Sequence, residues 1–145
     1  MADFWADDLN PKGVGYLSLR HPEPAKVSLR LALDLGISAI WIACDAVEER
    51  APSLIVYDPL WAMLHDAGVP VALHIGSGQN MPHVYMNTGV ERILEGNIGN
   101  IETTKPKDLP VIHHSIERCL TCMIYDGVLE RFPKLKVGII ALGTN

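Results

Sequence analysis

Basic residues never gather in this sequence, cysteines number only three, and no apolar run approaches the length that crosses a bilayer. Each lack removes a class of function. With 12 Lys and Arg against 17 Asp and Glu, the formal charge is −5, and no positive cluster exists with which to hold nucleic acid or an anionic membrane. A small molecule or another protein chain is the expected partner. Three cysteines, an odd number in a mid-sized chain, do not make a disulfide framework. The opening Met1-Ala2-Asp3-Phe4-Trp5-Ala6-Asp7-Asp8 is acidic where an export signal is basic, so a cytoplasmic location is expected.

What is present is an ordered run of αβ signals. At 145 residues, one domain with a real core is the expectation. The clearest unit spans residues 57–78: Asp58 is placed to cap a helix, Pro59 suits its first position, and Gly68 suits its left-handed end. Residues 69–75 are then apolar except for His74, a pattern that suits a central parallel strand covered on both faces. Similar strands are read at 14–19, 37–43 and 135–142. Helices are read at 25–35, with Val27, Leu31 and Leu35 on its apolar face, and from Ser115, as a possible cap, to about Arg131. Gly36 and Gly68 each close a helix before a strand and lie one αβ repeat apart. The reading is therefore an α/β chain of about four parallel strands with helical crossovers. Residues 76–107, glycine-rich in part, form an excursion over the strand ends. Such a pattern fits a small open sheet or half of an eight-stranded barrel.

The chemistry-bearing residue singled out is His74. An imidazole at the carboxyl end of an apolar strand needs its nitrogens satisfied, by a metal or by polar neighbours, and strand ends are where α/β proteins carry their sites. The other histidines have simpler readings. His113 and His114 point different ways and suit a helix start, His83 lies in the excursion, His21 beside prolines, and His65 late in a helix. Cys119 and Cys122 have redox spacing but fall inside an amphipathic helix, where small buried residues are the better reading. Asp45, after the second strand, suits a pocket wall or a helix cap. Gly76-Ser77-Gly78 lacks the lysine of a phosphate cradle.

Three passages, Tyr57-Asp58-Pro59-Leu60-Trp61, Pro70-Val71-Ala72-Leu73-His74-Ile75-Gly76 and Phe132-Pro133-Lys134-Leu135-Lys136-Val137-Gly138-Ile139-Ile140, together resemble the amidohydrolase-related family. That family includes metal-dependent hydrolases and decarboxylases similar to aminocarboxymuconate semialdehyde decarboxylase. The resemblance implies a middle portion of a (β/α)₈ TIM barrel, with a divalent metal, often zinc, at its carboxyl mouth and His74 as one metal ligand. It implies a small substrate bearing a carbonyl or carboxylate. Where relatives commonly carry a further His or Glu after the last strand read here, this chain has Ala141, and the first-strand histidine pair and last-strand aspartate have no counterpart. The expectation is a partial chain that is inactive alone and self-associates through exposed strand edges. A catalytically silent α/β domain that binds a ligand or partner is the alternative, and a redox protein is a third.

Overall fold

The computed structural model describes residues 13–74, 81–86, 89, 107 and 109–140. Four parallel strands, β1 (Val14–Tyr16), β2 (Ala39–Ala43), β3 (Val71–His74) and β4 (Val137–Ile140), pair in the order β1-β2-β3-β4. Between them run the helices α1 (Pro22–Asp34), α2 (Asp58–Ala67), α3 (His83–Met86), α4 (His114–Tyr125) and α5 (Val128–Arg131). Sequential order without reversal is how a (β/α)₈ barrel is built, whereas a doubly wound sheet needs a switch point. The chain forms a four-stranded arc of such a barrel. Of the excursion over 76–107, the described part holds α3, and Lys107 Nζ donates to the Tyr85 carbonyl at 2.8 Å. The rest of it, with Gly76-Ser77-Gly78 and Ala141, lies outside the described residues.

The two faces of the arc differ. Alternation along the strands sends Ile40, Ile42, Val71 and Leu73 to a fully buried face against the helices. Trp41, Ala72 and His74 take the opposite face, where they are only half-buried, and Tyr16 there is exposed. Cover on both faces is the expectation for β3; the described residues cover one. The open side is what becomes the inside of a closed barrel.

Helix α2 anchors the core. Leu60, Trp61 and Leu64 are buried, the Trp61 indole donates to the Pro52 carbonyl at 3.1 Å, and the Tyr57 hydroxyl donates to the Leu19 carbonyl at 2.7 Å. Gly68 ends the helix with φ of 66°, as read from the sequence. Asp58 does not cap it. Its carboxylate instead takes two bonds from Arg131, Nε at 2.9 Å and Nη2 at 2.9 Å, joining α5 to the start of α2.

Two helices depart from expectation. Helix α1 begins at Pro22, three residues early, and the face read as its apolar side is the exposed one: Val27, Leu31 and Leu35 face solvent while Ala25 and Leu29 are buried. The sequence offers two apolar ridges at four-residue spacing, and the sheet takes the one that starts with alanine, whose small side chain admits close approach. The helix expected to run to Arg131 breaks at Gly127, whose φ of 71° starts α5 in a new direction. Ser115 does not cap α4; it lies buried in the first turn, its hydroxyl donating to the Ile112 carbonyl at 3.2 Å.

In the turn after β2, Glu48 and Glu49 both have positive φ, 51° and 62°. Glu48 is held there by Arg20 Nε at 2.9 Å and Arg50 Nη2 at 2.7 Å. The Arg20 hydrogen bond holds its carboxyl below the ordinary range, so the pair's contribution is lost as pH falls through that lowered value. Glu49 forms no such pair, so Glu49→Gly is expected to relieve backbone strain and raise stability by up to about 1 kcal/mol, read as a higher denaturant midpoint.

Candidate functional site

The carboxyl ends of β2 and β3 bring together residues 30 and 31 positions apart. Ala43 pairs with His74 in the ladder, and the next residue, Cys44, donates its thiol to the His74 carbonyl at 3.3 Å. On the open face the His74 ring stands edge-on to Trp41, with centroids 5.5 Å apart, and Trp41 in turn lies 4.5 Å from Tyr16. The imidazole thus belongs to the uncovered aromatic surface rather than to the aliphatic layer under the helices. It opens where a barrel's chemistry is placed.

Helix α4 supplies the wall beside these strand ends. Arg118 Nη2 reaches Asp45 Oδ1 at 3.2 Å, while Asp45 Oδ2 and the Trp41 indole nitrogen are buried without a hydrogen-bond partner among the described residues. One acceptor and one donor therefore remain for a bound group near His74. Asp45, expected as a pocket wall or a helix cap, is held by Arg118 of α4. Trp41 and Arg118 were not anticipated, because both depend on strand register and on a contact across 73 residues, neither of which the local sequence shows.

The cysteines of α4 are structural. Cys119 is buried, and its hydrogen bond to the Cys44 thiol, with burial, pushes its thiol far above the usual range. The redox reading loses its basis, since a reactive thiol needs a lowered pKa and access. None of the three cysteines forms a disulfide. Native protein is expected to react with a thiol reagent at Cys122, which is half-buried, and to expose the other two thiols only in denaturant. Fast reaction of two or more thiols in the native state would contradict the packing.

The remaining histidines belong to helices or their starts. His21 precedes α1 as its cap residue, and its carbonyl accepts from Ala25. His65 Nδ1 lies 3.0 Å from Asp66 Oδ1, with its ring 6.2 Å from that of Phe132. The backbone of His83 opens α3. His113 and His114 begin α4 with ring centroids 4.6 Å apart, and the ligand atoms of both and of Glu117 lie within 4.8 Å of one another.

A metal at His74 requires more donors than these strands bring. Ions of the zinc class are held by three or four ligands, and among the described residues the one group of three close donors excludes His74. One imidazole does not fix the ion.

The sequence profile of a family described as amidohydrolase matches residues 3–141. Among solved structures, an amidohydrolase from Mycobacterium avium subsp. paratuberculosis K-10 superposes with a TM-score of 0.70 at 27% identity, over 89% of this chain and 31% of its own. The 5-carboxyvanillate decarboxylase of Sphingomonas paucimobilis gives 0.68 at 17% identity, over 96% and 38%. The 2,6-dihydroxybenzoate decarboxylase of Rhizobium gives 0.68 at 18%, over 95% and 41%. At these identities the two decarboxylases show the shared fold. The chain spans less than half the length of each of these structures. No curated protein matches it.

Proposed function

The chain belongs to the amidohydrolase family, and from that premise we propose that it is part of a metal-dependent hydrolase or decarboxylase acting on a small carbonyl- or carboxylate-containing substrate. The observation that carries this reading is His74, on the open face at the carboxyl end of β3, beside Trp41. In the complete site His74 is one ligand of a divalent metal, zinc in the commonest case, with the other ligands outside the described residues. The chain's own groups bind and orient: Trp41 offers an indole N–H, and Arg118 holds Asp45 against the wall.

Alone, the 145-residue chain is expected to bind substrate-like carboxylates weakly and to turn none over. Nuclear magnetic resonance titration with benzoate-type carboxylates tests this. Shifts at His74 and Trp41, abolished by His74→Ala, support the reading; shifts confined to α1 or α3 would sink it. Turnover that survives His74→Ala would likewise move the chemistry elsewhere. The second reading, a silent binding domain, is favoured by His74 being the one imidazole that the described strand ends bring to the mouth, and it predicts the same shifts with no activity after the rest of the barrel is supplied.

The edges of the arc shape its partners. β1 and β4 each have one strand neighbour, and Val14, Tyr16 and Ile140 expose apolar area on the open face. Self-association through these edges follows from the same reading. Light scattering is expected to give a mass above the 15.9 kDa of one chain. A strict monomer at high concentration would refute it.

A further inference from the structure

We propose that His113, His114 and Glu117 form a binding site for one divalent transition-metal ion that takes no donor from His74 and is independent of the catalytic reading. The three side chains come from one short stretch at the start of α4, and their ligand atoms all lie within 4.8 Å of one another. His113 Nε2 and Glu117 Oε1 are already 3.8 Å apart at i,i+4 spacing. An ion bonded at about 2.0–2.2 Å to each donor holds tetrahedral ligand atoms roughly 3.4 Å apart. Closing from the observed spacing takes a small side-chain rotation, and both groups are solvent-exposed enough to make it. His114 adds the third donor from the adjacent position, its ring edge-on to that of His113.

The donor set decides which ion. Two imidazoles and one carboxylate suit zinc, cobalt, nickel and copper, while magnesium and calcium prefer all-oxygen sites. Three protein ligands leave a coordination position to solvent, an open site rather than a closed structural one. The cation next in sequence is engaged elsewhere: Arg118, which follows Glu117, pairs with Asp45 at 3.2 Å. Against the site stands the positive end of the α4 dipole, which the Glu117 charge opposes.

Cobalt(II) titration of the purified metal-free chain tests the assignment, read by visible d–d absorption and by calorimetry. Expected is one ion per chain, with binding weakened more than about tenfold by His113→Ala or by His114→Ala and also reduced by Glu117→Gln. His74→Ala leaves the titration unchanged, and magnesium does not compete. Circular dichroism confirms that the surface variants stay folded. Unaltered binding in the His113→Ala/His114→Ala double variant, loss of binding in His74→Ala, or no binding at millimolar cobalt would each overturn the site. Because the carboxylate titration reads His74 and Trp41, failure of either proposal leaves the other standing.

Discussion

Replacing Trp61 by alanine is expected to remove about 3–5 kcal/mol of stability, enough to leave much of the chain unfolded at 37 °C. The indole is fully buried in the layer between sheet and helices, among residues such as Leu60, Leu64 and Ile42 that are themselves buried. Truncation leaves a cavity that this layer cannot fill, and the Pro52 carbonyl loses the donor that satisfies it. Trp61→Phe separates the two parts, since it keeps most of the volume and loses only the hydrogen bond. Urea melts of both variants check this: a small loss for Phe and a large one for Ala are expected. Equal losses would mean that the bond, not the packing, dominates.

The second large effect is a contrast between neighbours. Leu73→Asp is expected to cost at least about 3 kcal/mol and to prevent folding, because the carboxylate enters the fully buried helix-facing layer with no partner. Ala72→Asp, one residue earlier, points to the uncovered face and is expected to cost less than about 1 kcal/mol. It should also reduce self-association, since that face would meet a partner. A register shift of one residue exchanges the two outcomes. Equal, severe losses at both positions would mean that the arc is covered on both sides.

The legible parts of the sequence were those whose signals are local. Helix α2 is written between Pro59 and Gly68, and the strand centres are continuous apolar runs, so both survive in the structure almost as read. Ambiguity arose wherever two local patterns competed. In α1 the ridges through Val27 and through Ala25 are equally regular, and only the sheet decides between them. Gly127 fits inside a helical pattern, and its left-handed turn shows only when α5 must follow α2 to bring Arg131 to Asp58. That ion pair spans 73 residues, and no capping rule applied to Asp58 could have found it.

The candidate site divides the same way. His74 stood out because one ionisable ring on an apolar strand needs a reason. Trp41 looked like any large strand residue until the register placed it on His74's face. Glu117 stands four residues from His113, a spacing visible in the sequence, but only the helix that starts at His114 brings its carboxylate round to the tandem histidines. Family resemblance supplied the metal and the reaction class. Geometry supplied the open face.

The most direct test is a proton nuclear Overhauser spectrum of the 145-residue chain with assigned His74 ring protons. Ring centroids 5.5 Å apart put the His74 and Trp41 edges within range, so cross-peaks from His74 to the Trp41 indole are expected, with none to Leu64 or Met123. Cross-peaks to Leu64 or Met123, without any to Trp41, would place the imidazole in the buried layer and contradict its role at the mouth.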